Sequence, residues 1–180
     1  MKKILAFGGS NSKNSINKVF ASYTAQQIDD TEVTIIDLND FEMPLYSIDL
    51  EKEQGVPQEA EQFAALIEAH DAIILSLAEH NSNVTAAFKN LTDWVSRLPG
   101  KTWRDSTMLL LSTSPGGRGG VGAINVALNS FPYSGANIVA HFSLPSYGKN
   151  FSTESGITDP ELKDAFEKQI KQFKEALFSS

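Results

Sequence analysis

Short apolar runs that stop at glycine or serine, each followed by a stretch of helical period, constrain this chain more than any other feature. Residues 4–7 end at Gly8-Gly9, residues 72–77 read AIILSL, and residues 108–111 run into Ser112-Thr113. A run of four to six residues without polar alternation reads as a strand buried on both faces, the environment of a parallel sheet covered by helices. Residues 33–38 and 138–142 supply two more such segments.

The intervening stretches change period. Ile16, Val19, Phe20, Tyr23 and Ile28 make one helical stripe, and Ala60, Phe63, Ala64 and Ile67 make another behind Pro57, a residue suited to a helix's first turn. Val84, Ala87, Phe88, Leu91, Trp94 and Val95 form the strongest stripe; residues 120–131 carry a weaker one through Val121, Ile124, Ala127 and Leu128. A capping box, Thr158-Asp-Pro-Glu161, opens the last helix, with Leu162, Phe166, Ile170, Phe173 and Leu177 as its buried face. Residues 40–57, with two prolines, a glycine and several acids, and residues 143–156 read as loops. Five strand-helix units predict an α/β, three-layer, doubly wound sandwich: a five-stranded parallel sheet of order 2-1-3-4-5 joined by right-handed crossovers. No internal repeat or linker divides residues 1–180, which are expected to form a single domain.

Composition narrows the chemistry. With 180 residues, the chain can bury roughly two thirds of its unfolded surface and needs no staple. The absence of cysteine excludes disulfides, thiolate metal sites and a thiol nucleophile, so redox chemistry would have to be borrowed from a cofactor. Three scattered histidines give no metal-ligand spacing, and no metal is expected. A net charge of −7 without a Lys/Arg stripe argues against nucleic acid, while the short apolar run at residues 4–7 is neither a signal core nor a membrane span. A cytoplasmic location follows.

In a sheet of this kind ligands bind beyond the carboxyl ends of the strands, and the loops there are the unusual parts of the sequence. The first, residues 8–17, has glycine or a polar residue at nine of ten positions and runs into a helix N-terminus; backbone N–H groups and the hydroxyls of Ser10, Ser12 and Ser15 suit a phosphate. It is not a Walker A loop, because no Gly-Lys-Ser/Thr follows. The second, Ala78-Glu79-His80-Asn81-Ser82-Asn83, can offer backbone amides to a planar ring; adjacent Glu79 and His80 would diverge rather than pair as acid and base. The third, residues 112–122, contains Gly117-Arg-Gly119-Gly-Val-Gly122, yet residues 138–142 lack the acidic partner that a dinucleotide fingerprint requires. It reads as a glycine-rich loop through which bare backbone approaches a flat ligand.

Taken together, these loops resemble those of the NADPH-dependent FMN reductase family, flavodoxin-like enzymes that include quinone, azo-dye and chromate reductases. The family's Gly-Ser-x-Arg-x-x-Ser-x-Asn aligns with residues 9–17, with Ser12 in place of the arginine and Lys13 beside it. Its Pro-Glu-Tyr-Asn-Gly-Ser loop aligns with residues 78–83, departing at Ala78 and His80, and its Lys-Asn-x-x-Asp-Trp with Lys89, Asn90, Asp93 and Trp94. Ser-Pro-Gly-Gly stands intact as Ser114-Pro115-Gly116-Gly117.

The resemblance implies an FMN phosphate on Ser10, Ser12, Ser15, Ile16 and Asn17, and an isoalloxazine between Ala78, Glu79, His80, Asn81 and Ser82 on one side and Ser114, Pro115, Gly116 and Gly117 on the other. It implies an oxidoreductase in which NADPH or NADH passes hydride to the flavin, which then reduces a small acceptor such as a quinone, an azo compound or free flavin. No side chain is then required as acid or nucleophile. It further implies a homodimer or homotetramer; Phe41, Met43, Leu45 and Tyr46 are candidate contact residues, with folding back over their own core as the alternative. Two rival readings use the same fold. A non-enzymatic, flavin-binding electron carrier would use the acidic surface for docking, whereas a phosphorelay receiver would need acids after the first and third strands to hold magnesium, and Gly8-Gly9-Ser10 gives no support for it.

Overall fold

The computed structural model describes residues 1–179. In chain order it consists of β1 (Lys2–Gly9), α1 (Ile16–Ala25), β2 (Thr31–Ile35), α2 (Ile48–Gln54), α3 (Gln58–Glu68) and β3 (Ala72–Leu77). A hairpin of β4 (Glu79–His80) and β5 (Asn83–Val84) leads to α4 (Ala86–Val95), β6 (Thr107–Thr113), α5 (Val121–Ser130) and β7 (Asn137–Leu144). One turn of helix, α6 (Tyr147–Asn150), and a second hairpin, β8 (Phe151–Ser152) and β9 (Gly156–Ile157), precede α7 (Pro160–Phe178). The five long strands pair in parallel in the order β2-β1-β3-β6-β7, the expected 2-1-3-4-5 once the hairpin strands are set aside.

Side chains alternate across the sheet with period two, and this sorts the layers. Leu5, Phe7, Ile73, Leu75, Met108 and Leu110 face α3, α4 and α5 through Phe63, Phe88, Trp94 and Ile124. Ile4, Ala6, Ala72, Ile74, Leu109 and Leu111 face α1 and α7 through Phe20, Ala21, Phe166 and Phe173. Each buried large side chain contributes about 1.5–3 kcal/mol, so the sheet's central strands are a rigid base for the loops at their ends.

Boundaries and two loops differ from expectation, each for a physical reason. The second strand lies at Thr31–Ile35 rather than residues 33–38, because β2 is an edge strand that tolerates Thr31 and Glu32; Asp37 instead caps a 3-10 turn, Leu38–Phe41. Residues 40–57 are not wholly loop: α2 has no buried residue, so it shows no apolar stripe, and it is held by the Ser47 cap and by Glu51, which accepts from Tyr46 Oη and Arg97 Nε. Residues 143–156 include the end of β7, α6 and β8. The last helix is capped one residue later than expected: Asp159 Oδ1 accepts from Leu162 N, while Thr158 Oγ1 donates to Lys149 O. Ile28 is buried, but in the turn beyond α1.

The segment before α2 folds back on its own core. Phe41 packs edge-on against Phe63, and Tyr46 against Trp94 at 5.0 Å between ring centroids. Trp94 Nε1 donates to Pro44 O at 2.7 Å, and Asn90 accepts from Tyr46 N while donating to Pro44 O. Leu45 alone of the four candidate contact residues points outward, 81% exposed.

Candidate functional site

The register aligns Gly9 with Leu77 and Leu77 with Ser112, so β1, β3 and β6 end side by side and their three following loops meet. The first loop is curled by its own serines. Ser10 Oγ accepts from Ser12 N at 3.1 Å, Ser15 N donates to Ser12 O, and Ser15 Oγ caps α1 by accepting from Lys18 N at 3.1 Å. This leaves the N–H groups of Asn11, Lys13, Asn14, Ile16 and Asn17 without a partner among the described residues. A row of free amides at a helix's positive end, beside three hydroxyls, is a donor set for a phosphate.

Asn17 has a second duty. It is buried, and its carboxamide is consumed inside the protein: Nδ2 donates to Thr113 O at 3.1 Å, while Oδ1 accepts from Thr113 N at 3.0 Å and Ser76 Oγ at 2.7 Å. Only its backbone N–H is left to face a ligand. The side chain instead fixes the first loop to the ends of β3 and β6.

The second loop is a tight hairpin. Asn81 and Ser82 have φ of 53° and 60°, so both central residues occupy the left-handed region that a type I′ turn demands. Glu79 does not project its carboxylate into open space. Its Oε2 accepts from Gly122 N at 2.6 Å and Ala123 N at 3.2 Å, capping α5, whose own N-cap, Gly120, has no side chain to do so. Glycine at 122 is what admits this strap, since a Cβ there would lie 2.6 Å from Glu79 Oε2. His80 is exposed.

The third loop hangs from its neighbours. Ser112 Oγ donates to Gly119 O at 2.6 Å, Ser146 N to Gly116 O, and Tyr147 N to Ser114 O. Nothing lies within 4 Å of a Cβ built on Gly117, so this side of the loop is open to a flat ligand.

Between the loops is an open cleft of about 180 Å³, lined by Ser10, Ser12, Ser15, Ile16, Asn17, Ala78, Glu79, His80, Ser114 and Pro115. Asn81, Ser82, Gly116 and Gly117 belong to the same loops but lie outside this lining. Sequence reasoning missed two lining residues, Asn14 and Thr113. Asn14 sits within the first loop; Thr113 is the last residue of β6 and becomes visible only through its bond to Asn17. Close by, Lys18 Nζ pairs with Asp37 Oδ2 at 2.5 Å, and this bond holds the Asp37 carboxyl below the usual carboxylate range. The other histidines are elsewhere: the ring of His70 bridges Leu66 O and Thr34 Oγ1, and His141 lies on β7.

Residues 2–149 match the family model for NADPH-dependent FMN reductases. A probable NADPH:quinone oxidoreductase 2 of Oryza sativa subsp. japonica is 26% identical over 172 residues, covering 90% of this chain and 82% of that protein. An NADPH azoreductase of Bacillus sp. (strain OY1-2) is 28% identical over 123 residues, 68% of this chain and 65% of that one. Among solved structures, the flavoenzyme NAD(P)H:(acceptor) oxidoreductase FerB of Paracoccus denitrificans superposes with a TM-score of 0.78 at 21% identity, over 99% of this chain and 98% of that one.

Proposed function

The chain belongs to the NADPH-dependent FMN reductase family, and from that membership we propose a division of labour among its three loops. The protein is an FMN-dependent NAD(P)H oxidoreductase. Bound FMN supplies the two-electron chemistry between nicotinamide and acceptor. Quinones and azo compounds are the proposed acceptors, in keeping with the activities for which its relatives are named. The residues here bind and orient.

In this reading the free amides of the first loop, with Ser10, Ser12 and Ser15, hold the phosphate. Backbone of residues 78–82 and 114–117 borders the ring, with Glu79 positioning one loop against the other. The single observation that carries the reading is the meeting of all three loops at one cleft whose phosphate end consists of unpartnered donors. At about 180 Å³ the cleft is smaller than the roughly 300 Å³ at which ligand pockets usually begin, so a flavin seated there is left partly uncovered. A second copy of the chain covering that face, in a homodimer or homotetramer, is the proposed remedy; exposed Leu45 and Ile48 are available for such a contact, and light scattering checks it. Residues 1–180 act as one flavodoxin-like unit. A cytoplasmic location is proposed with it; among the described residues no helix is long and apolar enough to cross a membrane.

Anaerobic addition of NADPH, then NADH, to the FMN-loaded protein tests the reading. Bleaching of the oxidised-flavin bands with one nicotinamide per flavin, and recovery on adding a quinone, is expected. Stoichiometric FMN that neither nicotinamide can bleach would replace the reductase by the electron carrier.

A further inference from the structure

A second and larger concavity adjoins the phosphate cradle. A groove of about 560 Å³ lies along the outer face of α1, walled on its other side by Phe151 and Thr153. Asn14 and Ser15 line both this groove and the cleft between the loops, so the two are neighbours across the cradle itself. We propose that the groove takes the adenylate half of FAD, and that the chain accepts FAD as well as FMN. The proposal rests on the flavin reading above.

Three observations carry it. The first is size and reach: the volume falls within the roughly 300–1,000 Å³ of small-molecule sites, and the groove follows α1 from Ser15 to Gln26, about 16 Å at 1.5 Å per residue. That suffices for a phosphate, a ribose and a purine laid end to end. The second is the order of chemistry along it. Lys13 stands at the cradle end, where a second phosphate would emerge, and enters no ion pair among the described residues; Lys18 beside it is already paired with Asp37. Val19, Tyr23 and Phe151 then form an apolar wall for a purine face, and Tyr23 is braced edge-on by Phe151 at 5.1 Å between ring centroids. Gln26, at the far end, carries both a donor and an acceptor, as the edge of adenine requires.

The third observation is charge. A terminal phosphate such as that of FMN carries about −1.5 to −2 at pH 7, and a cradle of neutral amides and the hydroxyls of Ser10, Ser12 and Ser15 compensates it only in part. Joining that phosphate to a second one as a pyrophosphate leaves each singly charged and hands the second charge to Lys13. The exposed residues Asn11, Ser12, Lys13 and Asn14 leave the cradle open on the outside, so a chain of atoms can leave it.

Fluorescence anisotropy titrations of FMN and of FAD into the flavin-stripped, full-length chain test this. Wild type is expected to bind FAD at least as tightly as FMN. Val19→Glu, an exposed position outside the cleft, should weaken FAD at least tenfold and leave FMN within twofold; Gln26→Ala should weaken FAD alone by about threefold. Weaker binding of FAD than of FMN by wild type, or FAD affinity indifferent to Val19→Glu, overturns the groove and leaves the FMN reading intact. Failure of both flavins to bind wild type refutes the flavin reading itself, and the groove with it.

Discussion

The two ends of the cleft are built in opposite ways. At the phosphate end, residues 10–15 are shaped by bonds spanning two or three residues, and the groups offered to a ligand are those the loop leaves unused. At the ring end local turns are joined by distant restraints: Glu79 reaches 43 residues to Gly122, and Ser146 N donates to Gly116 O from the loop beyond β7. Local curvature can be changed without disturbing the core, whereas a long-range strap is part of the core's own connectivity. Substitutions at the phosphate end should therefore move affinity, and those at the ring end should move stability.

Asn17 joins the two regions and should show the largest effect. Asn17→Leu strands Thr113 N–H and Ser76 Oγ in the interior; at about 1–3 kcal/mol for each orphaned group, urea denaturation should show a loss of about 3 kcal/mol, together with weakened FMN binding. Glu79→Ala removes the one side-chain cap on α5 among the described residues, and a loss of about 2 kcal/mol with little change in flavin affinity would mark the ring end as structural. Ser12→Arg is the converse experiment: calorimetry should find FMN affinity raised by about 1.5 kcal/mol, one charge-assisted bond, at unchanged stability. If Ser12→Arg instead destabilised the chain, the contrast between the ends would fail.

Smaller effects sharpen the same contrast. Ser82 occupies the left-handed region at φ 60°, where glycine is at ease; Ser82→Gly should raise the thermal midpoint through about 0.5–1 kcal/mol of relieved strain. Asp37, whose carboxyl is held low by Lys18, contributes stability above the ordinary carboxylate pKa of about 3.9 and loses it as pH falls through its lower folded-state value. The wild-type advantage over Asp37→Asn should therefore be full at neutral pH and shrink below about pH 4 in acid-denaturation curves. Because this pair is partly solvent-exposed, its effect should be the smallest.

What could be read in the sequence follows the same division. Periodicity finds elements that bury a face, and so the central strands and α4 stand out, while α2, which buries nothing, is invisible to it. The serine-rich loop is legible because its chemistry is local. The duties of Glu79 and Asn17 are not, since each depends on a partner 43 or 96 residues away that no spacing rule connects. The match to Lys89, Asn90, Asp93 and Trp94 has a similar lesson: Asn90 and Trp94 latch residues 43–46 rather than touch the cleft. Of the five candidate phosphate residues, all line the cleft; of the nine bordering the ring, Asn81, Ser82, Gly116 and Gly117 stand outside it, because a hairpin tip and an open glycine loop project beyond the walls their neighbours form.

The bond between Asn17 and Thr113 also sets a schedule. Although the serines that would hold a phosphate occupy the first tenth of the chain, their loop is pinned only once β6 has been inserted beside β3, 96 residues later. During synthesis the emerging N-terminal segment carries the donors without the scaffold that fixes them, and pairing of such distant strands is a late and slow event. Flavin is therefore expected to join a nearly finished fold, as a seal on the completed protein rather than as a template for its assembly.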